Sequence, residues 1–286
     1  MSAPFIHIPK SSPVSGRALD FLGEFNRVAA DPELGASIEQ LQKAIHTTKP
    51  ADGAVAKPDA NDLVGILISE NKEEWDKLLK NKFCYEYMKT KPKDDKPTLK
   101  GFEWYMRQDF LYLVKQCQYE ADRSLRAKNT TEFKTSMSRV KTRPDNALPV
   151  YDACIAKSPD GLGINEYVVL STPATEALNK YIALLTEVTK DQNWVMVLVA
   201  MIPCVQSYYR IAVDLHSNST HKDTPWYKLW VETNVQWESS TVKQIEFFKT
   251  NYTEWKDHYP KAKEIFKKAI QAEIDLWGTA LDPPKA

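Results

Sequence analysis

Glycine is scarce in this chain, nine residues in 286, and sustained alternation of apolar and polar residues is scarce too. Both deficits argue against a β-rich fold, whose turns draw on glycine and whose strands repeat with period two. No G-x-G-x-x-G, Walker loop or G-x-S-x-G is present, so the familiar phosphate cradles and the nucleophile elbow are missing. The five histidines (His7, His46, His216, His221, His258) form neither H-E-x-x-H nor a Glu-x-x-His pair, so no metal site is expected. His216 and His221 flank a polar loop and read as surface residues. Four cysteines (Cys84, Cys117, Cys154, Cys204) are scattered without a CxxC. The N-terminus, Met-Ser-Ala-Pro-Phe-Ile-His, lacks the basic-then-apolar pattern of a secretory signal. Together these point to free thiols in a reducing compartment. One-sided charge is absent: Lys+Arg and Asp+Glu both number 38, which leaves no footprint for nucleic acid or an anionic membrane. The longest apolar stretch, Trp194–Val205, is shorter than the ~20 residues of a spanning helix. The expectation is a soluble cytoplasmic protein.

What the chain does have is helical periodicity. Residues 1–60 are the least regular: Leu19, Leu22, Phe25, Val28 and Ala29 could share one helical face, Ile38, Leu41 and Ile45 another, and Thr47 to Pro58 reads as a linker. Residues 1–70 are taken as an N-terminal extension and 71–286 as a helical domain. Within the latter, helices are expected at 71–88, 99–128, 130–141, 173–189, 193–216, 224–250 and 261–281, with 144–172 mostly connection. No repeat period or sustained heptad appears, so neither a solenoid nor a coiled coil fits. The fold class is all-α.

One local feature stands out. In Pro203-Cys204-Val205-Gln206-Ser207-Tyr208 a cysteine follows a proline inside an apolar helical run. A mid-helix proline removes a donor and collides with the carbonyl of Val199, so a kink is expected where the thiol is presented. Cys204 and Tyr208, four apart, share a face. Two other helices carry polar groups within apolar stripes: Tyr105, Asp109 and Tyr112 on one, and Glu273 between Ile270 and Trp277 on another. An inward carboxyl must be paired, hydrogen-bonded or protonated, and pockets in bundles form where such helices face each other. Plain alternatives stand beside this. A buried cysteine can be a small hydrophobe. Asp109 can bond a backbone or an arginine, Glu273 can sit at the rim, and the tyrosines can be core packing.

Phe102-Glu-Trp-Tyr105-Met-Arg-Gln108-Asp109-Phe-Leu-Tyr112-Leu113 resembles the F-x-x-Y-x-x-Q-D-x-x-Y-L motif of the TenA (thiaminase II) family. Ala200-Met-Ile-Pro203-Cys204-Val-Gln-Ser-Tyr208 is similar to its A-x-x-P-C-x-x-x-Y. Tyr227-Lys-Leu-Trp230 resembles its Y-x-x-W, and Glu273-Ile-Asp-Leu276-Trp277 its E-x-x-F-W with leucine for phenylalanine. The four motifs keep the family's order across roughly residues 71–281. The resemblance implies a haem-oxygenase-like helical bundle, usually a homo-oligomer (tetramer or dimer), and a cofactor-free hydrolase acting on an aminopyrimidine derived from thiamin, or a related heterocycle. By the same resemblance Cys204 is the nucleophile, Asp109 binds the ring amino edge, Glu273 is the general acid/base, and Tyr105, Tyr112 and Tyr208 belong to the substrate wall. Two positions of that wall depart from the pattern: Leu178 stands where the family has the tyrosine of A-Y-T, and Asn234 where it has a tyrosine after Y-x-x-W. The altered wall leaves two alternatives open, a small-molecule-binding or regulatory protein and a cofactor-free oxidase. The expected partner is a small heterocycle.

Overall fold

Asp95 accepts a hydrogen bond from the Thr98 amide at 3.1 Å, and a proline sits in the first turn that follows. The cap satisfies one of the amides that a helix start leaves unpaired, and proline has no amide there to lose. A 29-residue helix, Lys96–Ser124, runs from this start and is the spine of the computed structural model, which describes residues 58–190 and 193–284. In chain order the main helices are α1 (Leu63–Glu70), α2 (Lys72–Leu79), α3 (Lys96–Ser124), α4 (Thr130–Thr142), α5 (Pro144–Ile155), α6 (Glu176–Val188), α7 (Ile202–Asn218), α8 (Glu238–Thr250) and α9 (Tyr259–Gly278). No strand occurs among the described residues. The helices and linker anticipated within residues 1–57 lie outside the described residues.

α4, α5 and α6 all pack on α3, while α9 packs on α2, α6 and α7. Helix α1, at the end of the anticipated N-terminal extension, buries Leu63, Val64 and Leu67 in the same core as the later helices and packs on α8. α3 also approaches the C-terminal turn closely. A Cβ on Gly101 would stand 2.3 Å from the Ala280 carbonyl oxygen and 2.8 Å from the Phe83 ring, so the contact requires glycine.

Four expectations need correction. Residues 144–172 are not mostly connection, since α5 occupies the first twelve of them and a short helix, Glu166–Leu170, five more. Pro144 lies in its opening turn and Pro149 inside it, and it is these prolines that made the segment look irregular. Pro203 does not kink a continuous helix. The short helix Met196–Val199 ends, the chain turns at Ala200–Met201, and α7 starts at Ile202 with Pro203 in its first turn. Proline there breaks no hydrogen bond. Finally, the 23 residues Met196–Asn218 do reach the length of a membrane span and contain an 18-residue window of mean hydropathy 1.5, but that window is 83% buried inside the protein. It is the core strut of this bundle. The expected single helix over 224–250 is also subdivided, with a π-turn at Tyr227–Val231 and a 3-10 turn at Val235–Trp237 before α8.

Candidate functional site

The Q-D pair of α3 has divided roles. Gln108 donates to the Pro173 carbonyl at 3.0 Å and accepts from the Thr175 amide at 2.9 Å. Thr175 in turn caps α6 through the Leu178 amide at 3.1 Å. One side chain thus fixes where α6 begins. Asp109, next along, turns instead toward a cavity of about 480 Å³ lined also by Tyr112, Cys204, Tyr208, Trp230 and Asn234. Of the sequence-derived candidates, Asp109, Tyr112, Cys204, Tyr208 and Asn234 meet at this cavity.

Glu273, Tyr105 and Leu178 do not line it. Glu273 is fully buried on α9 behind the thiol. Tyr105 is fully buried too. It donates a hydrogen bond to the Tyr208 hydroxyl at 2.8 Å and stacks on Trp277 at 4.0 Å with the rings 5° from parallel, so it supports the tyrosine that faces the cavity. Leu178 is buried in the core.

Sequence reasoning missed Tyr181, three residues further along α6. Tyr112 donates to the Tyr181 hydroxyl at 3.2 Å, and Tyr181 donates to Glu273 Oε1 at 2.7 Å. The two rings stack at 4.9 Å. A tyrosine is therefore present on this helix one turn away from the position where the family motif places it, and i, i+3 spacing keeps it on the same face. That spacing was the available signal.

Electrostatics tie the group together. Burial raises Asp109 to about 7, and no described residue hydrogen-bonds its carboxyl. Burial raises Glu273 to about 8, with Asp109 adding to the rise while Tyr181, Tyr208 and Cys204 favour its charge. Its Oε2 is buried and makes no hydrogen bond. Burial, then Glu273 and Asp109, push the Cys204 thiol well above its ordinary value, while Tyr112 and Arg143 oppose the rise. Two carboxyls raised toward neutrality, both acting on one cysteine, suit general acid–base chemistry. Among the described residues no group of three or more His, Cys, Asp or Glu is arranged to hold a metal ion.

Beside the cavity lies a buried charge cluster. Glu120 meets Arg143 at 2.6 Å, Arg123 at 2.8 Å and Arg139 at 3.8 Å, which fastens α4 and α5 to α3. Burial alone would raise Glu120, but the three guanidinium groups outweigh it and hold the carboxyl down at about 2.

Residues 93–283, more than half of the chain, match the profile of the TENA/THI-4/PQQC family. The chain belongs to the TENA/THI-4/PQQC family. Solved structures of this family share the architecture. A TenA family transcription regulator from Silicibacter sp. TM1040 has 18% identity and a TM-score of 0.63, covering 77% of this chain and 97% of that one. A TenA homologue from Pyrococcus furiosus has 18% identity and a TM-score of 0.61, covering 76% and 99%. A TenA homologue from P. horikoshii OT3 has 20% identity and a TM-score of 0.60, covering 77% and 98%. At these identities the likeness shows the fold, which is the all-α, haem-oxygenase-like bundle of TenA proteins. No curated protein matches the chain.

Proposed function

We propose that this TENA/THI-4/PQQC protein is a cysteine-dependent hydrolase of the thiaminase II kind, acting on an aminopyrimidine or a related amine-bearing heterocycle. The observation that carries the reading is the cavity-facing Cys204 flanked by Asp109 and the buried Glu273. Asp109 near 7 can donate its O–H to a ring nitrogen while its other oxygen accepts from the adjacent amino group, a two-point grip on an aminopyrimidine edge. That grip makes the ring electrophilic.

In the chemistry proposed, Cys204 gives its proton to ionised Glu273 and its sulfur bonds to a ring carbon. The electron pair passes through the ring and breaks the exocyclic C–N bond, and the amine leaves with the proton from Glu273. Water then adds to the exposed carbon and gives a proton to Glu273. The C–S bond breaks, the ring is restored, the sulfur takes that proton back, and one water has been exchanged for one amine. Burial supports this by strengthening each interaction as charge develops. A free thiol is only a few per cent ionised at neutral pH, so a neighbouring base such as Glu273 is needed.

Ammonia release from 4-amino-5-aminomethyl-2-methylpyrimidine, measured beside Cys204→Ser, tests the proposal. Turnover that vanishes in the variant supports it. Turnover that persists in Cys204→Ser removes the nucleophile, and a folded wild type that is inert excludes this substrate. A second reading, a ligand-binding protein with a repurposed pocket, is favoured by Asn234 in the cavity wall. Cytoplasmic location and homo-oligomeric assembly are part of the proposal. Assembly is supported by the exposed Leu125, Tyr167 and Leu170, which are 81%, 77% and 59% accessible.

A further inference from the structure

Two turns beyond Asp109 on the same face of α3, Gln116 lines the cavity. Its side chain is completely buried, and neither Oε1 nor Nε2 has a hydrogen-bond partner. It lies close enough to the Tyr112 phenol to pull that hydroxyl's proton affinity down, but neither amide atom reaches it in hydrogen-bond geometry. An orphaned amide is costly, because its donor and acceptor have both left water for nothing. Asn146, at the start of the facing helix α5, lines the same end and is 7% exposed. Among the described residues no hydrogen bond is made by its side chain either.

The two helices run antiparallel, since Phe110 meets Tyr151 at 5.5 Å while Glu120, further along α3, pairs at 2.6 Å with Arg143 just before α5. The cavity therefore has a carboxyl end at Asp109 and a carboxamide end at Gln116 and Asn146. They are separated by seven residues of helix, roughly 10 Å at ~1.5 Å per residue. Cys204 lines the same cavity and feels both Asp109 and Arg143, the residue that precedes α5. A single six-membered ring with three small substituents, gripped at Asp109, does not reach across that span.

We propose that Gln116, with Asn146, forms a subsite for an amide-type group, a donor and an acceptor side by side, carried on the leaving amine of the substrate. A carboxamide is the natural complement of such a pair, since Nε2 donates while Oε1 accepts. The inference rests on the ring placement proposed above. It makes the substrate an aminopyrimidylmethyl derivative of an amide-bearing amine, and hydrolysis then consumes one water and releases that amine intact.

The test uses the full chain and three ligands: 4-amino-5-aminomethyl-2-methylpyrimidine and its N-carbamoylmethyl and N-propyl derivatives on the exocyclic amine. Turnover is measured by product release, and binding by calorimetry in Cys204→Ser. The carbamoylmethyl derivative is expected to be preferred over the propyl one by roughly tenfold or more. That ratio should collapse toward one in Gln116→Leu and in Gln116→Met, and shrink in Asn146→Ala. A propyl derivative equal to the carbamoylmethyl one overturns the subsite, as does a preference that survives both Gln116 variants. The two proposals fail separately. Turnover without amide preference leaves the hydrolase and removes the subsite. Amide preference in binding without turnover leaves the subsite and removes the hydrolase. Binding of none of the three removes both.

Discussion

Tyr181→Phe isolates one hydrogen bond at the centre of the site. The substitution keeps the ring that stacks on Tyr112 at 4.9 Å and deletes the hydroxyl that donates to Glu273 Oε1 at 2.7 Å. That bond stabilises the ionised form of Glu273, so its loss must raise the carboxyl further. A hydrogen bond to a charged group contributes about 1.5–3 kcal/mol, and one pKa unit corresponds to about 1.4 kcal/mol. From its starting point at about 8, Glu273 should therefore move up by roughly 1–2 units. A carbon-13 titration of the glutamate side-chain carboxyl reads this directly and needs no substrate. If turnover is found, the rising limb of its pH profile should shift to higher pH, because Glu273 must be ionised to act as the base for Cys204. A midpoint that stays put in the variant, or falls, would show that Tyr181 does not hold Glu273 and that burial alone sets its proton affinity.

Three further outcomes follow from the same structure. Glu273 is raised from an ordinary 4.5 to about 8, so the folded state holds its proton more tightly than the unfolded one, and the stability this gives is lost as pH rises from 4.5 through 8. Glu273→Gln should thus unfold at a higher temperature than wild type at pH 9 and at a similar one at pH 4, and equal melting at both pH values would refute it. Glu120→Ala should cost about 3–5 kcal/mol in urea denaturation, because it leaves arginines buried beside a missing partner; a loss below about 1 kcal/mol would mean the cluster is well solvated. Glu120 is held down at about 2, so its contribution is present above pH 4.5 and disappears as pH falls through 2, and the gap between wild type and variant should narrow over that range. Asn234→Tyr should tighten aminopyrimidine binding by about 1–3 kcal/mol if the tyrosine stacks on the ring; calorimetry showing no gain would place the ring elsewhere in the cavity.

Much of this arrangement was legible in sequence, and what was hidden has physical reasons. Asp109, Tyr112, Cys204 and Tyr208 were found because a polar residue inside an apolar stripe is costly and therefore conspicuous. Glu273 was found the same way, although it stands behind the cavity. Tyr181 was missed because a tyrosine in a buried stripe costs little and looks like packing, and because attention fell on Leu178, where a motif places the aromatic ring. Helix α5 was hidden by Pro144 and Pro149. Proline marks irregular backbone in general, yet it is harmless in the first turn of a helix and tolerable at an exposed interior position. The break at Ala200–Met201 was misjudged for a related reason: a proline inside an apolar run reads alike whether it bends one helix or opens the next. Gln116 keeps helical spacing with Asp109 and Tyr112, but only the cavity shows that its amide lacks a partner.

The break before Pro203 also changes what surrounds the thiol. Cys204 is the third residue of α7, so it sits in the turn where backbone amides have no carbonyl above them and the partial positive charge of the aligned peptide units gathers. In an unbroken helix from Met196 to Asn218 the same residue would lie mid-span, where that charge cancels. The chain ends one helix and starts another to place its sulfur at a positive pole. An anion forming there gains about 0.3–1 kcal/mol, up to ~2 when buried. The resting cysteine can therefore stay protonated, safe from stray oxidation, while the thiolate becomes accessible during a reaction.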